Sequence, residues 1–594
     1  MYKRQGIDLE GDGITITNQA GGTISGVASG VTVGAGSTSS IGNSGVNNEI
    51  RNFGTISGGN FAIDSNEAEG SVRIINFGGG VLDGVIRGSE GNIDRLRFVD
   101  GESTLTHDVL QDFHVIVQAP ATLTLDGALT IEGNLRSLGT VSFDIANTVD
   151  IERDLVFETG STVNVTDAGG IGGVGNQYTL ATVGGTLTNN ASITDDSALL
   201  DFTFVNSTDL VVEAGADATA AAKVSYTNTS SAAFGSSVLS AFSNGALNNT
   251  DVFSALGGLN SLEQVGSSLE SLAPDFSGSL AQNVFHSIQG NSGLIDQRLN
   301  DLNCNAFGDG EAENCFTFAE TGSWVQISDS NSTHGSLSSA NSAAFNNATG
   351  SEAQTFTYGY DHALDSSAVL GFSGSYTRSN VEQDFDSNSF SDLEIAQLGA
   401  YAGQQFGNVE LVSKASYTYA EANTRRQAFE VIQSDVEVSG LNVHGTASYN
   451  ARLGNGYYAK PHLGLQYSDI TTSAFSETGG LNLNIDETST NVLEGRVGLT
   501  LGARKALSDT TRADYYVTGA LRNDFYGERT DLGFAFAGQT GSLAINNPGA
   551  YGVQGLAGVN FISGENFSFG GAVNGEVSDE ENSVGGSVQT KIRW

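Results

Sequence analysis

Catalysis requires nucleophiles, bases or metal ligands at workable spacing, and the first two hundred residues offer few. Histidine occurs there only as His107 and His114, and neither stands in a ligand or triad spacing. The sequence holds no G-x-S-x-G elbow, H-E-x-x-H helix, glycine-rich phosphate loop or paired-cysteine zinc pattern. Ser and Asp are so abundant that a Ser, His and Asp set can be drawn on paper, and that abundance empties the exercise of meaning. Asp8, Glu10 and Asp12 in IDLEGDG could face a hard cation but lack the register of a calcium loop, so a solvated acidic turn is expected. The residues therefore predict no enzyme, no cofactor and no metal site.

A second set of charges lies in the last three hundred residues, spaced by twos. Leu493, Val497, Leu499 and Leu501 alternate with Glu494, Arg496, Thr500 and Arg504. Tyr457, Leu463, Leu465 and Tyr467 oppose Lys460, His462 and Gln466, while Phe567, Phe569, Val573 and Val577 oppose Ser568, Asn574 and Glu576. The closing SVGGSVQTKIRW sets Val584, Val588, Ile592 and Trp594 against Ser587, Gln589, Lys591 and Arg593. One face of each run is apolar and the other polar, as in a strand of period two. Runs of about ten residues suit tilted strands crossing a bilayer core.

A soluble sandwich alternates too, but tyrosines recur near strand ends (Tyr360, Tyr376, Tyr417, Tyr449, Tyr457, Tyr467), as in an interfacial girdle. There is no apolar run of eighteen residues, so only a closed barrel could hold this chain in a membrane. Twelve strands are expected, beginning near Phe316, Ala353, Ala368, Leu393, Val409, Val436, Gly456, Asn491, Arg512, Tyr551, Phe567 and Ser583. At about 4.8 Å per strand and about 40° tilt, such a barrel leaves a lumen about 10 Å wide, room for one helix and no folded domain. Arg496, Arg504, Arg522, Lys460 and Lys591 would then face the lumen with Glu494, Asp514, Asp524 and Glu576.

Upstream, residues 8 to about 215 are Gly, Asn, Thr and Ser with short β-branched runs. ITNQAGGTISG (16–26), IRNFGTISG (50–58) and IINFGGGVLDG (74–84) are irregularly spaced copies of one phrase, suiting coils of about 20 to 25 residues in a β-solenoid. Asn and Gly are expected at its corners, where left-handed backbone is tolerated. Longer strands in 177–214 would cap the open sheet edges. From about Asp217 the texture turns helical: Leu262, Val265, Leu269 and Leu272 share a face behind a possible Ser261/Gln264 capping box. A second helical run, about 277–303, carries Leu280, Val284, Ile288, Ile295 and Leu299, with a break expected at Gly290 and Gly293. Asp296, Gln297 and Arg298 are its candidates for contact with the lumen charges.

The net charge of −42 makes nucleic acid a poor partner. The opening MYKRQGIDLE has no apolar core or small-residue cleavage site, so the chain is read as starting downstream of an export signal. Cys304 and Cys315 lie close in a loop without nearby His, and a disulfide is the expected fate of the pair in an oxidising compartment.

The phrase LESLAPDFSGSLAQNVFHSIQGNSGLIDQRLNDL (269–302) resembles the segment preceding the barrel of type Va autotransporters, and the chain-terminal aromatic strand resembles their closing strand. The resemblance implies an all-β chain ordered as a β-helical passenger (1–176), a junction cap (177–216), a helical linker (217–303) and a 12-stranded transmembrane barrel (304–594). It implies a monomer in the Gram-negative outer membrane, with Val588, Ile592 and Trp594 as the assembly signal read by the barrel-assembly machinery. Periplasmic chaperones and outer-membrane lipid are its other implied partners, and its passenger would meet an extracellular surface in adhesion or aggregation. A passenger hydrolase and a porin-like channel are the alternatives. Asn248, Asn249 and Asn291 are the candidate positions for passenger release.

Overall fold

The computed structural model describes residues 5–9, 13–33, 48–68, 70–89, 94–105, 109–226, 229–274, 279–302, 321–334, 349–365, 367–383, 390–508, 511–529, 531–543, 551–563, 567–578 and 581–593. Two compact units form: Met1–Val224 with Leu239–Val265, and Ser225–Val238 with Gly266–Trp594.

In the first unit, consecutive short strands go to three different sheets, and the fourth returns to the first sheet. Phe113–Val117, Thr122–Leu125 and Thr130–Ile131 make one coil, and Leu135–Ser137 then pairs in parallel with the first, Val115 opposite Leu135. The result is a three-sided parallel β-helix. Alternate residues point inward: Leu123, Val141 and Val163 stack on successive coils and are fully buried. No single coil could bury that face alone, so stacking is what stabilises it.

The recurring phrase serves a different purpose from the one expected of its asparagines. Asn18, Asn52 and Asn76 end their strands with side chains inside the coil, where Asn18 Nδ2 donates to Asn52 Oδ1 (2.9 Å) and Asn52 Nδ2 to Asn76 Oδ1 (2.8 Å). Asn76 Nδ2 donates onward to Gly80 O and Ser103 Oγ. The left-handed corners fall instead to glycine, at Gly21 (φ 76) and Gly79 (φ 82). At the far end Gln177–Val183 stacks in parallel on Val149–Ile151 but pairs antiparallel with Leu210–Ala216, which takes Leu200–Val205 on its other edge. This antiparallel hairpin extends one of the three sheets beyond its last parallel strand, in the segment expected to form a cap.

The second unit is built on a closed antiparallel barrel of twelve strands. They are Gly322–His334, Thr349–Asp365, Ala368–Gln383, Phe390–Phe406, Val409–Gln427, Val431–Tyr449, Tyr457–Thr472, Thr488–Ala506, Thr511–Arg529, Tyr551–Ser563, Phe567–Ser578 and Glu581–Arg593. The first pairs with the twelfth, Ile327 opposite Val588, and closes the wall. Strand starts lie within six residues of the expected ones, and most strands run past ten residues, beyond the bilayer core. Outward positions carry Leu398, Leu463, Val517, Val553 and Val588, each more than half exposed, as lipid contact requires. Phe406, Tyr449, Tyr457 and Phe567 ring one rim at strand ends.

The longest connections, 334–349, 472–488 and 529–551, all leave the other rim. Within the last two of these, Phe475–Ser476, Asn484–Ile485, Leu532–Phe536 and Gln539–Leu543 form a small four-stranded sheet on that rim. Phe234 packs edge-on against Phe534 there, ring centroids 5.3 Å apart.

Candidate functional site

The barrel lumen is lined by the polar face of the alternation, and through it runs one helix, Ser279–Leu302. Its 24 residues span about 36 Å at 1.5 Å each, enough to cross the barrel. The helix is continuous, contrary to the break expected at Gly290 and Gly293. Neither glycine has anything within 4 Å of a would-be Cβ, because both line a cavity of about 320 Å³ beside the helix. Packing on the opposite face holds the helical backbone, so propensity is overridden.

That packing has an apolar tier at each end and a polar tier between. Val284, Phe285 and Ile288 pack on Leu393, Val438 and Ile470 toward the long-loop rim. Ile295 and Leu299 pack on Trp324, Tyr401 and Val412 toward the short-turn rim. The helix therefore enters at the end where the first strand begins and finishes, read backwards, at the rim carrying the small sheet. At that rim Arg426 donates to Ser271 O (2.8 Å) and pairs with Glu477 (2.5 Å).

Two ion pairs fix the helix. Arg298 Nε donates to Asp361 Oδ2 at 2.8 Å, both side chains essentially without solvent. Asp361 also accepts from the Tyr401 hydroxyl, which in turn accepts from Trp324 Nε1 at 3.0 Å. Room for those rings comes from glycine on the neighbouring strand: a Cβ at Gly359 would sit 2.2 Å from the Trp324 indole, and one at Gly371 2.3 Å from the Tyr401 ring. Two residues earlier, Asp296 pairs with Lys414 (2.6 Å), whose ammonium also donates to Ser292 O. Higher up, Gln289 Nε2 donates to Glu494 Oε2 (2.6 Å) and Asn291 Nδ2 to Gln397 Oε1 (2.5 Å).

The structure thus brings the expected residues together in part. Glu494, Arg496, Arg522 and Glu576 do form one lumenal network: Glu494 pairs with Arg496 and with Arg522 (3.3 Å), and Arg522 with Glu576 (2.8 Å). Among the described side chains it meets the helix through Gln289, whereas Asp296 and Arg298 find Lys414 and Asp361 instead. Arg504 pairs with Asp514 (3.2 Å) and Lys460 with Glu410 (2.9 Å), away from the helix pairs. Asp361, Tyr401, Trp324 and Lys414 escaped sequence reasoning. Val588 and Ile592 face outward, more than half exposed. The Gln297 side chain, Cys304, Cys315, Trp594, His107, Glu10 and Asp12 lie outside the described residues. Asn248 brackets Val174, accepting from its N and donating to its O, both at 3.1 Å, and Asn291 is buried in the lumen.

Residues 323–574 match the family model of the autotransporter β-domain. Among solved structures, the translocator domain of autotransporter NalP from Neisseria meningitidis is 15% identical, covering 53% of this chain and 99% of its own, with a TM-score of 0.40. The transport unit of AIDA-I from Escherichia coli is 14% identical over 54% of this chain and all of its own, TM-score 0.38. The β-domain of the Bordetella autotransporter BrkA is 14% identical over 46% of this chain and all of its own, TM-score 0.37. No curated protein matches the chain.

Proposed function

Because the C-terminal part of this chain is an autotransporter β-domain, a barrel of the Gram-negative outer membrane, we propose that it carries its own β-helix to the cell surface and displays it there for adhesive contact. The observation that supports display is the course of the lumenal helix. The lumenal helix has its N-terminal end, at Ser279, toward the rim with long connections, and in outer-membrane barrels that rim faces outward while short turns face the periplasm. Adhesion is favoured over catalysis because the β-helix is an extended repetitive surface, suited to contact along its length. The exposed Val588 and Ile592 of the closing strand are the surface offered to the assembly machinery.

Proteinase K applied to intact cells tests display. Residues before about 225 should be digested while a barrel fragment stays protected. A β-helix that is cut only after the outer membrane is permeabilised would reverse the assigned orientation.

A further inference from the structure

The chain is strongly acidic, yet one face of its β-helix is basic. Arg51, Arg73, Arg95, Arg97 and Arg136 all lie on outward positions of one sheet, between inward residues such as Ile50, Ile74, Leu96 and Leu135. Register orders them into two columns along the coil axis. In one, Arg73 neighbours Arg95, which neighbours His114. In the other, Arg51, Ile75, Arg97, Ile116 and Arg136 follow one another on successive coils. Adjacent parallel strands are about 4.8 Å apart, so the arginines of the second column recur about every 9.6 Å with an aliphatic side chain between them.

Local acids neutralise only part of this face. Glu49 pairs with Arg51 (2.6 Å) and Arg73 (3.2 Å), and Glu158 with Arg136 (2.7 Å). Arg95 and Arg97 have no ion-pair partner among the described residues, and Arg97 Nε is buried without a hydrogen bond. His114 senses the surplus: burial first, then the cations of Arg153 and Arg95, hold its imidazole below the ordinary histidine range. A basic stripe of this kind is not needed for folding, since Thr fills the equivalent outward positions of the next sheet (Thr122, Thr124, Thr140, Thr162).

We propose that this face binds an acidic polysaccharide laid along the coil axis, its carboxylates or sulfates against the guanidiniums and its sugar rings over Ile75 and Ile116. Guanidinium forks match such planar or multidentate anions. The alternation of cation and aliphatic step suits a slender polymer with one acidic group per two sugars. A duplex nucleic acid, with its dense charge, would bring more of itself against a chain of net −42. As an account of adhesion the proposal rests on the display reading above, but the binding surface itself can be tested on purified protein.

The test uses the full chain in detergent micelles passed over immobilised hyaluronan, which has one carboxylate per two sugars, with neutral dextran as blank. Hyaluronan should bind, dextran should not, and affinity should fall steeply with salt. R95E/R97E should weaken binding at least about tenfold and flatten the salt dependence, while T122E/T140E, the same number of added acids on the next sheet, should stay within about twofold. An unchanged circular dichroism spectrum and denaturation midpoint certify folding, and R95Q/R97Q, expected to give an intermediate loss, replaces the double Glu variant if that one unfolds. Absence of hyaluronan binding, equal loss in T122E/T140E, or tighter binding of a DNA duplex than of hyaluronan would each overturn the proposal. None of these outcomes bears on protease shaving of cells, so failure of the surface and failure of display are told apart.

Discussion

Replacing Arg298 by Met should loosen the lumenal helix by an amount set by what it leaves behind. Arg298 is 1% exposed and Asp361 is fully buried, its other partner in the lumen being the Tyr401 hydroxyl. Removing one member of such a pair strands a charge without water, a loss of about 3–5 kcal/mol. At about 1.4 kcal/mol per tenfold, the local opening of the helix should become roughly a hundredfold or more easier. Met fills much of the vacated volume, so packing against Trp324 and Val412 changes less than charge does. Amide hydrogen exchange of peptides covering 279–302, in the detergent-solubilised full chain, reads this directly, and single-channel recording should show longer open periods. Changing Asp361 to Asn in the same molecule should recover most of the protection, because Asn still accepts from Tyr401 but carries no charge. Unchanged exchange in R298M, or a double variant as fast as R298M, would refute the view that a buried ion pair holds the helix.

Three further outcomes follow from the same structure. N76L interrupts the asparagine chain, leaving Asn52 Nδ2 with Val81 O alone and taking the Asn76 donor from Gly80 O and Ser103 Oγ, so the β-helix should lose about 2–4 kcal/mol in chemical denaturation followed by fluorescence or circular dichroism. Asp195, in the capping segment, is pushed up to about 6, by burial first and then by the neighbouring carboxylates of Asp201, Asp196 and Asp217. A carboxyl raised on folding favours the folded state in its protonated form, so the cap should gain stability as pH falls from 7 through 6 toward 4 and lose it on the way back, and D195N should flatten that window. On the closing strand, V588R should cost about 2–4 kcal/mol of barrel stability at mid-membrane and I592R, near the short-turn rim, at most about 1, measured by the heat-modifiable gel shift in urea.

What was legible in the sequence is what a one-dimensional period encodes. Lipid outside and water inside impose strict alternation, so Leu463, Val497 and Val588 announce the outer face and strand starts are found within a few residues. The coils of the β-helix are legible for the same reason. Hidden were properties that depend on pairing across the barrel: Asp361 sits in the second strand, Tyr401 in the fourth and Lys414 in the fifth, and no local spacing ties them to Arg298 or Asp296. The asparagines of the repeated phrase were visible as repeats, but their inward ladder follows from coil register, which irregular spacings of 34 and 24 residues conceal. Helix continuity through Gly290 and Gly293 was missed because propensity speaks of isolated helices, whereas this one is held by a wall.

The polar character of that wall also explains why the helix stops where it does. If the lumen passes a chain, as the proposed display requires, it cannot grip that chain with oil along its whole length, since any apolar segment would lodge anywhere. Ion pairs discriminate by position. Asp296 and Arg298 have opposite signs two residues apart, and Lys414 and Asp361 receive them in that order. A slip of one helical turn in either direction presents Ser292 or Asn300 to Lys414, and Leu294 or Leu302 to Asp361, stranding both wall charges at about 3–5 kcal/mol each. The apolar tiers would keep part of their contact in such a slip, because Leu280, Val284 and Ile288, and again Ile295 and Leu299, recur every four residues. Position is therefore set by the charges and tightness by the aliphatic tiers. Exchanging the wall charges, Lys414 to Asp together with Asp361 to Lys, should mis-seat the helix even though composition is conserved, and restoring complementarity with Asp296 to Lys and Arg298 to Asp should seat it again. Normal protection of 279–302 in the wall-swapped protein would show that packing alone chooses the register.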